Sequence, residues 1–409
     1  MTFFLNRDLN YLVVHATLHT LAWCFCGLFS GVFLLRVGLS LPQIYLVFAA
    51  TLTLRFVLRP LVLRMAPAIG LRRTLMIGTF LFALPFPVLA LVHGVGMALG
   101  LFCLVTAFGE VFYWTSYHAC FAALGDTKMR GSQVAGREML GALAGIVGPA
   151  AGGLVLAEFG PWPAFVAASA IHIAAIVPLV HVSEPVIARE LPGGLYGAAK
   201  SGVWLFVSDG WITASSATAW SVIMFRAAGA RFDAFGGLLA AAALAGAAGG
   251  LVLGRSIDGG YARRLTFVNA TILAASLMLK SICGEEPVAV IVVALGTTML
   301  GGLHIPTLMS ALYNEAKASR CPLHYQFAAE GGWDVGGTLS CLAAAALCAV
   351  DLPLQLAIVL ALPMVPVQAR LLTISYGKML NSGKNEPGHA PATADILCPP
   401  QCAGEVEPP

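Results

Sequence analysis

Residues 183–197 read Ser-Glu-Pro-Val-Ile-Ala-Arg-Glu-Leu-Pro-Gly-Gly-Leu-Tyr-Gly, a polar stretch set between two strongly apolar halves. Outward from it the chain breaks into runs long enough to cross a bilayer as helices, which takes about 20 apolar residues. Six precede it, near 11–35, 41–65, 74–92, 96–124, 137–158 and 162–182; six follow, near 200–225, 233–254, 265–282, 287–315, 326–350 and 352–374. The composition agrees. Of the 409 residues 58% are apolar and 11% charged, and the mean hydropathy is +0.84. A soluble domain carries about 25% charged residues, so a soluble enzyme, a nucleic-acid binder and a disulfide-stapled secreted protein all fit poorly. The 44 Gly and 23 Pro are tolerated in membrane helices better than in soluble ones.

The basic residues give orientation. With the N-terminus in the cytoplasm, only Arg36, Arg226, Arg231 and Lys280 of the 23 Lys and Arg fall on the far side, and Arg55 and Arg59 lie inside the second run. The other 17 are cytoplasmic, as the positive-inside rule requires of an even number of spans with both termini inside. The expected organisation is all-α: a polytopic membrane protein of twelve transmembrane helices in two six-helix, pseudo-symmetric halves. Its parts are an N-terminal bundle (1–182), a cytoplasmic linker (183–199), a C-terminal bundle (200–380) and a disordered, Pro-rich tail (381–409). The first span lacks a cleavage site and is read as retained. Seven of the ten cysteines lie in or immediately beside apolar runs, where a thiol behaves as a small hydrophobe. No paired CxxC spacing suggests a metal, and no GxxxxGK[ST] suggests ATP-driven pumping. No metal or cofactor is expected.

Charges at membrane depth are expensive, about 2.5–3.5 kcal/mol each on insertion scales, so they face protein or water. The candidates are Arg55, Arg59, Glu110, Asp209, Glu330 and Asp334, joined by His15, His19, His118 and His304. Several form polar stripes at helical spacing: His15, His19 and Trp23 in span one; Glu110, Tyr113, Trp114 and Tyr117 in span four; Asp209, Thr213, Ser216 and Trp220 in span seven. Glu110 reads as the coupling proton site, with Asp209 competing for that role; a neutral Glu110 that only packs is the alternative. Arg55 reads either as an anchor for an anionic solute or as the partner of an acid such as Glu110, since its fork suits a carboxylate in both cases. His19 and His304 read as pore-lining or relay residues.

A shift of 192 residues places Thr106 on Thr298, Gly109 on Gly301, Glu138 on Glu330 and Gly145 on Gly337, a weak internal repeat of the kind transporters carry. The loop after span eight runs from Gly254 through Asp258 and Gly260 to Arg263 and Arg264. It resembles the G-x-x-x-D-x-x-G-x-R-R loop of the major facilitator superfamily, with one extra residue before the Arg pair. In span five Gly141, Gly145, Gly148, Pro149, Gly152 and Gly153 resemble that family's glycine–proline motif, found mainly in its antiporters; close helix packing is the plainer reading. The matching N-terminal loop ends Gly70-Leu-Arg72-Arg73 but has Pro67 where the family has Asp. The resemblance covers residues 8 to 380. It implies that helices one, four, seven and ten line a central cavity. It also implies that the ends of helices two and eleven meet, so that Arg59 and Arg64 would face Glu330 and Asp334 as a cytoplasmic gate, with Asp258 near the start of span five. Arg263 and Arg264 read either as part of this gate or as anchors at the lipid headgroups.

The function expected is secondary active transport of a small organic solute by alternating access, coupled to protons, with export by antiport ahead of uptake of an organic anion by symport. A membrane receptor or scaffold that moves nothing is the reading from another class. The expected partners are the solute, protons and the bilayer, not nucleic acid. A monomer in a bacterial inner membrane is the expected setting.

Overall fold

The computed structural model describes residues 6–125, 130–185, 195–254, 262–301, 304–319 and 322–384, and within these it is helical with no strand. The helices fall on the predicted runs. The first run is α1 (Arg7–Cys26), a 3-10 turn at Gly27–Phe29 and α2 (Ser30–Arg36). The second is α3 (Leu41–Leu58) with α4 (Pro60–Ile69), the third α5 (Leu71–Ala83) with α6 (Pro85–Ala90), and the fourth α7 (Met97–Leu124). Then come α8 (Arg130–Glu158) and the pair α9 (Pro161–Ala174) and α10 (Ile176–Leu179). Beyond the polar stretch lie α11 (Leu195–Ala227), α12 (Phe232–Gly254), α13 (Ala262–Ile282), α14 (Pro287–Gly301) with α15 (His304–Ala318), and α16 (Pro322–Ala349). The last run is α17 (Leu356–Val359) with α18 (Met364–Lys384). Nine helical stretches among the described residues are long and apolar enough to cross a membrane.

Breaks follow from proline, which removes a backbone donor and clashes with the preceding turn. Pro60, Pro85 and Pro363 stand at or beside three of them. The second run therefore bends at Arg59, between α3 and α4. Two helices run past the expected boundaries: α11 starts at Leu195, inside the stretch read as linker, and α18 continues to Lys384, four residues into the predicted tail. A helix satisfies its own backbone hydrogen bonds, so it needs no apolar face to run a turn past the lipid.

The surface is that of a protein solvated by lipid. Val57, Leu143, Val147, Val177, Leu244 and Val292 are exposed along the helices, and Trp162 and Trp204 stand half-exposed near the starts of α9 and α11. Tryptophan at that depth suits the headgroup region.

The halves touch along two seams, α3 against α16 and α8 against α12, while α11 packs on α16 and α1 on α8. Glycine lets α8 pack closely on both sides, through Gly148 and Gly152 against α1 within the N-terminal half and through Gly153 with Gly236 across the second seam. A Cβ on Gly152 would fall on the Phe25 carbonyl oxygen, one on Gly148 would lie 2.7 Å from Cys24 Cβ, and one on Gly236 would meet the Pro149 carbonyl. Gly153 is as tightly placed, against Phe232. Gly141 has nothing within 4 Å, and Gly145 meets only Ala243 Cβ at 3.6 Å. The packing reading of the span-five motif thus holds for its last part and not its first. Gly152→Ala should cost about 3 kcal/mol, the upper end of overpacking penalties, and Gly141→Ala almost nothing. Thermal melting of the two variants in detergent checks this, and equal melting temperatures would refute it.

Candidate functional site

Three helices bring five charges together at mid-depth. Arg55 on α3 and Arg59 at its C-terminal cap are one turn apart and share a face. On α16, Glu330, Trp333 and Asp334 do the same at i, i+3 and i+4. From α7 come Glu110, Thr115 and His118. Arg55 Nη1 donates to Glu110 Oε2 at 2.7 Å, and Arg55 Nη2 lies 2.7 Å from Asp334 Oδ1 and 3.5 Å from Glu330 Oε2. Arg59 Nε donates to Asp334 Oδ2 at 3.1 Å, its Nη2 reaches the same oxygen, and its Nη1 donates to Thr115 Oγ1 at 3.3 Å. His118 Nε2 stands 3.6 Å from Glu330 Oε1, and its Nδ1 pairs with the Tyr313 hydroxyl at 2.7 Å. Arg55, Arg59, Glu330 and Asp334 are all buried, Asp334 completely. Three carboxylates thus face two guanidinia, four of the five groups buried and Glu110 nearly so. Of the two sequence readings of Arg55, the geometry realises the ion pair.

The contacts expected between the ends of helices two and eleven form in part. Arg59 meets Asp334, and Arg55 supplies the partner of Glu330. Arg64 does not join: it is exposed and makes no ion pair among the described residues. Five helical residues turn the chain by about 140° beyond a full revolution, which takes Arg64 off the Arg55–Arg59 face. Asp258 and the side chains of Arg263 and Arg264 lie outside the described residues. The N-terminal loop that lacks its Asp is held instead by Glu184, whose carboxylate accepts from the Arg72 backbone N–H at 2.8 Å and lies 3.5 Å from Arg72 Nε.

The polar stripes divide. His19 stacks on Tyr113 with ring centroids 3.7 Å apart and meets Phe82, Trp114 and His172 edge-on. His15 donates from Nδ1 to the carbonyl of Ala175 at 2.7 Å, where α9 gives way to α10. Tyr113 and Tyr117 are buried with them, and Trp23 packs edge-on against Phe82. These residues form the interior of the N-terminal half rather than a cavity wall; neutral rings that stack are readily accommodated there. Only Glu110 of the span-four stripe turns to the seam.

In span seven the stripe also splits. Thr213 is exposed, and Trp220 is buried under Lys280, whose Nζ is 5.5 Å from the ring. Asp209 points into the C-terminal half and accepts from His304 Nε2 at 3.0 Å, Trp333 Nε1 at 3.1 Å and Gln368 Nε2 at 3.4 Å. His304 Nδ1 faces Asn269 Nδ2 at 3.4 Å. The other face of Trp333 receives Arg55, 5.3 Å from the ring centroid. Trp333, Gln368, Asn269, Thr115 and Tyr313 escaped the sequence reading, although a lone amide in an apolar run, as at Asn269 and Gln368, is a signal it offers. Among the described residues no His, Cys, Asp and Glu cluster is arranged to hold a metal ion.

Comparison with solved structures gives the same architecture. The chain superimposes on a single-substitution mutant of the nucleoside transporter NupG with a TM-score of 0.62 at 9% identity, covering 90% of this chain and 99% of that one. For the human organic anion transporter MFSD10 (TETRAN) the TM-score is 0.64 at 14% identity, with 90% and 99% covered. For a bacterial homologue of the human drug peptide transporters PepT1 and PepT2 it is 0.61 at 13%, with 92% and 99% covered. No curated protein matches the sequence. The sequence profile of the Major Facilitator Superfamily matches residues 11–340, the greater part of the chain, so that this multi-pass membrane protein belongs to that family of transporters.

Proposed function

We propose that the chain couples movement of a small organic solute to protons, as an exporter working by antiport. The observation that carries this is the buried cluster of Glu110, Glu330 and Asp334 around Arg55 and Arg59, which joins the two halves at mid-depth. With all five groups ionised it holds one negative charge too many for a dry site, and uncompensated buried charge is costly. One proton corrects the balance. A cationic group of a solute corrects it equally well, and the two then exclude each other, which is the requirement for antiport. Arg55 already faces three carboxylates, so an anionic solute would first have to displace one; this places uptake of an anion second.

The halves separate by breaking Arg55–Asp334, Arg59–Asp334 and Arg55–Glu330, while Arg55–Glu110 travels within the N-terminal half. Glu330 has the longest of the Arg55 contacts and His118 beside it, so it joins Glu110 as a carrier of the coupling proton. The charge asymmetry of the loops supports an inner-membrane orientation with both termini cytoplasmic. A thermal-shift screen of metabolites and drugs at two pH values identifies a solute for proteoliposome flux. An imposed pH gradient should then accelerate wild-type exchange severalfold, and Glu330→Gln should leave exchange that ignores the gradient. Gradient-driven flux retained by Glu330→Gln, Glu110→Gln and Asp334→Asn alike would remove the cluster from this role.

A further inference from the structure

Arg137 lies two turns into α8 and takes no part in the seam cluster. Its side chain is 24% exposed and turns inward, with Cζ 5.6 Å from the centre of the buried Tyr117 ring on α7. Among the described residues its one acidic contact is Glu138, the next residue in sequence, at 3.4 Å. Successive helical residues point about 100° apart, and the Glu138 side chain is 44% exposed. That pair is long, solvated and weak. On its inner side the guanidinium meets aromatic rings instead. Tyr117 stacks on Tyr113 and leans on Phe121, and Phe121 stacks on Tyr313 of α15, in the other half. Tyr113 and Tyr313 both lie within electrostatic reach of Arg137. Leu140 on α8 and Met309 on α15, each one turn from Arg137 or Tyr313, pack on the same cluster and stay partly exposed. The cluster is thus not sealed beside Arg137.

Two groups here lack an acceptor. An aromatic face attracts the charge of a guanidinium, but it leaves most of the five N–H donors free, in a fork suited to a carboxylate or phosphate. The Tyr117 hydroxyl is buried and has no hydrogen-bond partner among the described residues, which is costly for a polar group. One anionic group bound beside them would accept from the guanidinium and balance its charge. An arginine that only anchors a helix end extends outward to the headgroups, whereas Arg137 folds over a ring of another helix. The opposite charge stands close by. With its five groups ionised the seam cluster has one negative charge in excess, and two rings separate it from Arg137. The Tyr117 ring is 5.6 Å from that of His118, whose Nε2 is 3.6 Å from Glu330 Oε1. A positive and a negative position so placed are complementary to a solute that carries both charges.

We propose that Arg137, over the face of Tyr117, is an anion-binding position for the solute. The solute is then a zwitterion, whose carboxylate or phosphate meets Arg137 while its cationic group meets Glu330. The cationic half of this statement rests on the antiport reading of the seam cluster; the Arg137 position does not. Four aromatic probes separate the two: benzoate, its neutral counterpart benzamide, benzylamine, and para-(aminomethyl)benzoate, which carries both charges. Each is titrated against the full chain in detergent, with the rise in melting temperature as the readout. The wild type should bind benzoate about tenfold more tightly than benzamide, and Arg137→Gln should erase that preference. Arg137→Lys should keep part of it, and Tyr117→Phe, which keeps the ring and removes the hydroxyl, should weaken benzoate severalfold. The doubly charged probe should bind most tightly. It should lose its advantage over benzylamine in Arg137→Gln and its advantage over benzoate in Glu330→Gln. An equal response of the wild type to benzoate and benzamide, or a preference that survives in Arg137→Gln, overturns the position. Should Arg137→Gln fail to fold, wild-type affinity for benzoate in both Arg137→Lys and Tyr117→Phe overturns it equally. Benzylamine binding that needs Glu330, with no benzoate preference, would uphold the seam cluster and refute Arg137. A benzoate preference that needs Arg137, with no gain from the added amine, would uphold Arg137 and refute the seam cluster as the seat of a cationic group.

Discussion

Arg55→Gln is expected to abolish solute flux and to lower stability by about 3–5 kcal/mol, the penalty for removing one partner of a buried ion pair. The size follows from what Arg55 holds. Its Nη1 and Nη2 each stand 2.7 Å from a different carboxylate, Glu110 and Asp334, and Glu330 lies 3.5 Å away. Asp334 retains Arg59 when Arg55 is lost, but Glu110 and Glu330 have no other Arg or Lys among the described residues. Arg55→Lys keeps the charge but replaces a two-pronged fork with a single ammonium, so it should recover most of the stability and little of the flux. In Arg55→Gln/Glu110→Gln the orphaned acid is gone too, and part of the lost stability should return. Because the two residues touch, their effects should be non-additive. Melting temperatures of the three variants in detergent, with flux in proteoliposomes, check the set. A wild-type melting temperature for Arg55→Gln would mean that the charges are not mutually compensating.

The depth of these charges is legible in the sequence because hydropathy marks any Arg, Glu or Asp inside an apolar run. Arg55, Glu110, Asp209, Glu330 and Asp334 all stand out that way. Their partners are less legible. Arg55 and Asp334 are 279 residues apart, and only the pairing of α3 with α16 brings them together. Neutral partners such as Trp333 and Gln368 barely disturb hydropathy, so the network around Asp209 is hidden even though its carboxylate is not. Helical spacing misleads where it treats a stripe as one surface: Glu110 and Tyr113 differ by three positions, yet one faces Arg55 and the other stacks on His19. The same limit applies to Arg64, where distance along the chain from Arg59 says less than the angle around the helix. The missing loop Asp is visible as an absence, but its substitute comes from Glu184, which the linear order of the motif does not indicate.

Asp334→Asn should open the inner side of the protein and leave the outer side closed. Arg55 and Arg59 both meet at this carboxylate, and Asn keeps the shape while removing the charge. Losing charge-assisted hydrogen bonds, each worth about 1.5–3 kcal/mol, should raise the population separated at the inner side by about ten- to a hundredfold. The selectivity comes from what lies on either side of Asp334 along the seam. Toward the start of α1 the halves are held by His118 with Tyr313 and by Phe121 against the Tyr313 ring, contacts that yield once the ionic centre is weakened. Toward the opposite end no ion pair joins the halves among the described residues. There Tyr45 donates to the Ser215 carbonyl at 3.1 Å, Arg36 donates to the Ala230 carbonyl at 2.8 Å, and Phe29 packs edge-on against Phe235. The glycine seam of α8 and α12 adds backbone-to-backbone contact. None of these depends on Asp334. In a background with the native cysteines replaced, spin labels at Arg64 and Ser319 report the inner side, and labels at Gly38 and Glu286 the outer. The inner distance should lengthen in Asp334→Asn while the outer stays fixed; two unchanged distances would refute the gate.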